Sequence, residues 1–497
     1  MSHPPFEPER YELSASPFYR FDPPEVDRRA FLKLLSAAGG GLIVVSALPP
    51  AAGQESGRGQ AGREGASAIE SWLHLDESGR VTAYTGKVEI GQNIRTSLTQ
   101  TVADELGVKP EAITFVMGDT KLTPYDQGTF GSRTTPTMAP QMARAAATLR
   151  LMLIDLAAER WKVAAPSLAT REGRVVARDG RQIGYGELTE GRPMVGYVTA
   201  EPSPRSSWTL RGTPLPKVNG SDFVTGRHVF TSDLSRPGMM WGRVIRPPAY
   251  GSTPASSRTY AGVTLVRDGN FIGVVAETDR AARAAAESMR LEWTAPPEQP
   301  TSETVYAHLR RHVTSSGGRR GGRPNVVGNV AAARAAATGV FEASYEIPYI
   351  AHVPLEPRAA VAEWTDEGLT VWTGTQRPFG VRSEVASAFG LPEERVRVIV
   401  PDMGSGYGGK HTGEQAVEAA RLSKAVGRPV KVIYDRHEEF SWGYLRPAGV
   451  IDVAAGVDSR GRLMFWEFDN WNSGTAGIDT PYVVPSKRVE FHASESP

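Results

Sequence analysis

A strand, a polar turn, a helix and a second strand occur in the same order twice in this chain, and a duplicated unit of that kind leaves few folds open. Val81-Thr-Ala-Tyr-Thr-Gly86 and Leu369-Thr-Val-Trp-Thr-Gly374 each alternate and stop at a glycine, as half-buried strands do. A helical stretch follows each. The first is placed at about 94–106, with Ile94, Leu98 and Val102 on one face, Asn93 as N-cap and Gly107 past the end. The second is placed at about 381–389 and stops at Gly390. Lys109-Pro-Glu111 and Leu391-Pro-Glu393 then lead into strands at about 112–117 and 396–400.

Each copy ends in an aspartate (Asp119, Asp402), a glycine-rich loop and an alanine-rich helix. The loops are Gly128-Thr-Phe-Gly-Ser-Arg-Thr134 and Gly404-Ser-Gly-Tyr-Gly-Gly-Lys410. The first helix is expected at about 138–161, with Met142, Ala146, Leu149, Leu153 and Leu156 on a core stripe. The second is expected to open with a capping box from Thr412 to Gln415. Twice, then, a strand runs through glycines into a helix N-terminus, where backbone N–H groups and the helix dipole favour anionic oxygens. Two such mouths suit a long ligand carrying phosphate, gripped from two sides; the alternative is a pair of tight strand–helix connections. Neither loop ends in the Gly-Lys-Ser/Thr of a phosphate-loop NTPase.

Between the copies, strands at about 263–267 and 271–276 flank an Asp268-Gly269-Asn270 turn and feed a helix at about 279–289, a small α+β unit. The stretch 315–327 is rich in glycine and arginine and reads as a solvated loop. The 497 residues are enough for two or three domains. A net charge of +1 provides no field to draw in nucleic acid. The chain has no cysteine, which excludes disulfides, thiolate zinc sites, cysteine-held iron–sulfur clusters and cysteine nucleophiles within it. Nine scattered histidines make a dedicated metal cage an unattractive reading.

Near the N-terminus Arg28-Arg29 precedes a weakly apolar run, 34–48, broken by glycines at 39–41. A bilayer span needs about 20 apolar residues. The run instead reads as the core of a twin-arginine signal, with small residues Ala51-Ala52-Gly53 where a cut could fall and a disordered linker over 53–67. This implies export in the folded state through the twin-arginine translocase to the periplasm, with a membrane-associated location left open.

These residues resemble the molybdenum hydroxylase family of xanthine dehydrogenase and aldehyde oxidoreductase. Gly404 to Lys410 resembles that family's glycine loop under the pterin, with Gly406, Tyr407, Gly408 and Gly409 as its contacts and Tyr407 where phenylalanine is usual. Thr375-Gln376 resembles the loop whose glutamine donates to the apical oxygen of the molybdenum. Gly91-Gln92 resembles the Gly-Gln-Gly cofactor loop, with Asn93 replacing its last glycine, and Gly131-Ser132-Arg133-Thr134 a second dinucleotide contact. Val224-Thr-Gly226, Asp233 and Pro237-Gly-Met239 resemble the a/b hammerhead domain. One cofactor-binding half precedes that domain here, an order similar to the isoquinoline 1-oxidoreductase beta-subunit branch.

The resemblance implies an α+β fold in which two repeated cofactor-binding halves flank an a/b hammerhead-like domain. The expected division is 1–53 signal, 54–69 linker, 70–212 first half, 213–298 hammerhead, 299–330 linker and 331–497 second half. It further implies a molybdenum-pyranopterin, as molybdopterin cytosine dinucleotide, and hydroxylation of an N-heteroaromatic or aldehyde C–H with oxygen from water. Gln376 is the catalytic residue it assigns, His411 a candidate wall of the substrate pocket where xanthine dehydrogenase has a glutamate, and Glu356 a structural turn residue. The family's base glutamate falls beyond the point matching Pro497, so the second half is expected to be incomplete. The partners implied are a two-iron, two-sulfur small subunit and a c-type cytochrome acceptor. Two other readings stand beside it: an inactive cofactor-binding half, and an exported hydrolase built on paired carboxylates about 5–10 Å apart.

Overall fold

The computed structural model describes residues 41–45, 71–191, 194–254, 263–289, 291–296, 300–317 and 324–496. The paired arginines and the 53–67 linker lie outside the described residues. The chain divides into two compact units, Met1–Met239 with Arg358–Val432, and Met240–Pro357 with Ile433–Pro497. These boundaries differ from those read in the sequence. Residues 213–239 belong to the first unit because they are tied to it: Gln100 Nε2 donates to the Thr213 carbonyl at 3.0 Å, Val218 N to Thr96 Oγ1 at 2.9 Å, and His228 Nε2 lies 2.8 Å from the Asp402 carbonyl.

In the first unit one sheet holds β1 (Leu42–Val45), β2 (Ser71–Leu75), β3 (Val81–Thr85), β4 (Ile113–Met117) and β5 (Met194–Tyr197), in the order β4-β3-β2-β1-β5. The second copy supplies β6 (Ala359–Thr365), β7 (Gly368–Thr373), β8 (Val396–Ile399) and β9 (Val430–Ile433), in the order β9-β6-β7-β8. The duplication extends to the pairing: β2 and β3 are antiparallel and β3 and β4 parallel, as β6 and β7 are antiparallel and β7 and β8 parallel. Each parallel step crosses through a helix, α1 (Ile94–Leu106) in the first copy and α3 (Pro378–Phe389) in the second. Gly107 and Gly390 end these helices at φ 62, a left-handed geometry that costs glycine least.

After the glycine loops come α2 (Thr134–Trp161) and α4 (Glu414–Val426). Met138, Met142, Ala146, Leu149, Leu153 and Ala157 of α2 recur at helical spacing and pack with Leu98, Val102 and Leu106 of α1 into one core over the first sheet. Two sequence expectations need correcting here. The capping box at Thr412 does not form: Thr412 Oγ1 donates to Glu414 Oε1 at 2.6 Å, Gly413 is the N-cap, and its N–H donates to Glu384 Oε2 at 2.7 Å. Asn93 stands at the N-cap of α1 in a left-handed conformation without capping it through its side chain.

The apolar run read as a signal core also has a described part. Leu42–Val45 is β1, an interior strand whose four side chains are 0–2% exposed. Burying four such side chains stabilises by about 1.5–3 kcal/mol each.

The two copies meet strand end to strand end. Thr120 N donates to the Val398 carbonyl at 3.0 Å and Val400 N to the Gly118 carbonyl at 3.1 Å. The glycine loops leave from the strand ends on either side of this junction.

The second unit holds the small antiparallel set Met240–Val244, Phe271–Ala276 and Thr264–Asp268 with the helix Asp279–Ser288, as the sequence led one to expect for 263–289. It also holds a six-stranded sheet built on Gly339–Ile347, Gly449–Val457, Leu463–Trp471 and Ser486–Ser494. Its remaining strands, Val313–Gly317 and Asn325–Val327, and the helix Val305–Arg311 occupy the stretch read as a linker; the strands pair with Ser486–Ser494, a partner too distant in sequence for local composition to disclose. Among the described residues, no helix is long and apolar enough to cross a membrane.

Candidate cofactor site

The site is built within the first unit around Gln376, which is 3% exposed at the turn between β7 and α3. Its backbone N–H donates to the Lys410 carbonyl at 2.8 Å, and its carbonyl accepts from Thr129 N at 2.8 Å. Its side-chain Nε2 donates to the Thr129 carbonyl at 2.9 Å, while Oε1 accepts from Gly408 N at 2.8 Å. One glutamine therefore joins the 128–134 loop of the first copy to the 404–410 loop of the second. The ring of His411 lies 5.2 Å from that of Phe130, adding a ring contact between the same loops.

The 404–410 loop is held from below. Arg358, 1% exposed, donates through NH2 to the Gly409 carbonyl, and Thr375 Oγ1 donates to the Lys410 carbonyl at 3.0 Å. Gly406 has to be glycine, because a Cβ there would lie 2.6 Å from Gln376 Oε1. Ser405, Tyr407 and Gly408 all have positive φ (76, 54 and 96), so the loop is tightly turned. The Tyr407 side chain is 67% exposed, and its hydroxyl finds solvent where an internal partner would otherwise be required.

The 128–134 loop is anchored by Lys87, whose Nζ donates to the Gly128 carbonyl at 2.7 Å and pairs with Asp126 at 2.9 Å. Thr129 Oγ1 accepts from Val88 N at 2.9 Å, which joins the 87–93 loop to the same node. Beyond it Gly131 and Ser132 (φ 65 and 55) and Arg133 are exposed, directly before α2, with Thr134 buried as its first residue. Ser132 (φ 55) followed by Arg133 (φ −93) is an alternating left- and right-handed pair, the backbone pattern that turns successive N–H groups to one side as an anion-binding concavity.

The 87–93 loop, which resembles a cofactor loop in sequence, carries an acid of its own. Glu89, 2% exposed, places its carboxylate there, accepting from Gly91 N and Asn93 N at 2.9 Å and Arg95 N at 3.0 Å. Gln92 folds back on its own turn, its Oε1 accepting from Ile90 N at 2.6 Å and its Nε2 donating to the Val88 carbonyl at 3.1 Å. The N-terminus of α1 is thus closed by an internal acid, and Gly91 and Gln92 face outward from a rigid turn. Sequence reasoning missed Glu89, Thr129, Lys87 and Arg358; an acid just upstream of a helix start was the one available signal.

A molybdopterin group fits these loops on two observations. Ser405 Oγ is buried in the 404–410 loop without a hydrogen-bond partner, and open space lies where a Cβ on Gly91 would sit. In the second unit, Asp469, Glu490 and His492 gather, but Arg488 lies 2.5 Å from Asp469 and 2.9 Å from Glu490 and already answers their charge. The neighbouring carboxylates are likewise engaged, Asp452 by Arg310 at 2.5 Å and Glu467 by Arg334 at 2.9 Å. The Arg310 guanidinium holds the Asp452 carboxyl below its usual range, the opposite of what a general acid needs. That speaks against the paired-carboxylate hydrolase.

Two families, each described as a molybdopterin cofactor-binding domain, match residues 48–218 and 319–494. A nicotinate dehydrogenase chain of Pseudomonas putida is 29% identical over 88% of this chain and 38% of its own length. The beta chain of isoquinoline 1-oxidoreductase from Brevundimonas diminuta is 25% identical over 78% of this chain and 56% of its own. This chain therefore spans less than two thirds of the length of these relatives. Among solved structures, quinoline 2-oxidoreductase of Pseudomonas putida 86 aligns with 24% identity and a TM-score of 0.49, covering 57% of this chain and 44% of that one.

Proposed function

The chain belongs to the molybdenum-binding subunits of the xanthine dehydrogenase family, and on that premise we propose that it serves a hydroxylase acting on an electron-poor C–H of an N-heteroaromatic or aldehyde substrate. The observation that carries the reading is Gln376, whose side chain bonds Thr129 and Gly408 and so gathers the two duplicated loops at one place. The names of the relatives, nicotinate and isoquinoline enzymes, favour an N-heteroaromatic ring.

When bound, the molybdenum-pyranopterin, read as its cytosine dinucleotide form, supplies a Lewis-acidic centre and takes up two electrons. Gly406, Tyr407, Gly408 and Gly409 would lie along the pterin, with Ser405 Oγ as a ready partner for one of its polar atoms. Gly131, Ser132 and Thr134 would meet phosphate oxygens through their backbone, and Arg133 would bind them bidentately. Gly91 and Gln92 would join them at the phosphate end. Gln376 would fix the loop spacing and orient the reacting centre, and His411, against Phe130, would form one wall of the substrate pocket. Electrons would leave to a two-iron, two-sulfur subunit and then a c-type cytochrome, after twin-arginine export to the periplasm.

The test is the protein purified from its native host with its associated subunits. We expect stoichiometric molybdenum and pterin, and oxygen-18 from labelled water in hydroxylated nicotinate, isoquinoline or a related ring. A preparation from molybdate-replete cells without pterin would overturn the reading. Pterin without turnover would identify an inactive cofactor-binding half.

A further inference from the structure

The apolar run near the N-terminus reads as a removable leader, yet part of it is built into the first unit. We infer that β1 is a permanent strand of the working protein, so that any processing of the N-terminal segment falls upstream of Gly41 and not at the small residues 51–53.

Both edges of β1 are used. Leu42, Ile43 and Val44 pair antiparallel with Leu75, His74 and Leu73 of β2. On the other side Leu42 to Val45 pair parallel with Met194 to Tyr197 of β5. Two further bonds extend the ladder, Met194 N to the Gly41 carbonyl at 3.1 Å and Val198 N to the Val45 carbonyl at 3.2 Å. An apolar run on successive residues, facing both ways, is what a strand buried on both faces requires.

The approach to the strand is fitted as well. Gly41 has φ +92, and a Cβ there would lie 2.1 Å from the Leu75 carbonyl oxygen, so the chain reaches its slot only through a glycine.

In the second copy β9, which follows α4, lies directly beside β6, whereas in the first copy β1 stands between β2 and β5, the strand of that sheet that follows α2. Removing β1 would leave β2 and β5 two strand spacings apart, about 9–10 Å, with facing N–H and C=O groups unpaired inside a core. On the twin-arginine reading the chain is exported already folded, so β1 is in place before any signal peptidase meets it.

The deciding measurement is the N-terminus of the protein recovered from the cell envelope of its native host, by intact mass and N-terminal sequencing. We expect it at Gly41 or earlier; an N-terminus beyond Gly41 on folded protein would overturn the inference. A second comparison uses chains beginning at Gly41 and at Ser46. We expect the Gly41 chain to melt with the full-length protein, and the Ser46 chain to melt at least about 5 °C lower or to lose its cooperative transition. Equal melting of the Ser46 chain would equally overturn it.

Discussion

Arg95 Nε donates to Asp402 Oδ2 at 2.9 Å, joining α1 of the first copy to the aspartate that closes the second. The exchange is reciprocal: Arg397 of β8 donates through Nε and NH2 to Asp119, which closes the first copy, at 3.0 and 2.5 Å. Each duplicated half thus ends on a carboxylate held by an arginine of the other, upstream of its glycine loop.

The Arg95 and Asp402 side chains are 14% and 10% exposed, so removing one partner leaves a largely buried charge unanswered. Arg95→Met is expected to cost about 3 kcal/mol in chemical denaturation. Arg95→Met with Asp402→Asn is expected to cost less than the sum of the two single changes, because the orphaned charge is then removed too.

Gln376→Leu keeps the bulk but leaves the Thr129 carbonyl and the Gly408 N–H without their partners. Each orphaned group is worth about 1–3 kcal/mol. The variant is expected to melt lower and to carry far less pterin per chain, read by fluorescence of the released, oxidised cofactor. Pterin content equal to that of the parent would show that the two loops are positioned without this side chain.

Two glycine replacements separate backbone strain from steric displacement. Gly131→Ala meets only ordinary contact with the Arg133 side chain, at 3.5 Å, but demands φ 65 of an alanine, a cost of about 1–2 kcal/mol in stability. Gly406→Ala drives its Cβ against Gln376 Oε1 and displaces the tie between the loops. Titration of the apoprotein with pterin is expected to show a loss of affinity of at least about tenfold for Gly406→Ala, which is 1.4 kcal/mol.

The pairing of Arg310 with Asp452 gives the second unit a distinct acid response. Because the folded carboxyl titrates below the unfolded value of 3.8, its stabilisation is present above that pH and is lost as pH falls towards the lowered folded value. Asp452→Asn is therefore expected to flatten stability against pH below about 4 and to lower it at neutral pH, read by melting between pH 3 and 7.

The repeated strands and the helix ends at Gly107 and Gly390 were legible because alternation and left-handed glycines are local signals. The nearness of the two glycine loops was legible only through duplication and family resemblance, since the bond that joins them spans 247 residues. The closure of α1 by Glu89 was missed because Gly91-Gln92 drew the reading to the glycines, and the capping box at Thr412 fails because the helix starts one residue later, at Gly413, and the Thr412 hydroxyl turns to Glu414. Four apolar residues such as Leu42–Val45 suit a leader core and a strand buried on both faces equally well, and the pairing with β2 and β5 involves partners too distant in sequence for the run itself to disclose.

The exchange of arginines and aspartates sets an order of events during synthesis. Until Gln376 and Arg397 have left the ribosome, the first loop and Asp119 lack these partners, and closing contacts over such long separations is slow. A group held by both loops would therefore meet its full set of contacts only after the second copy has been made.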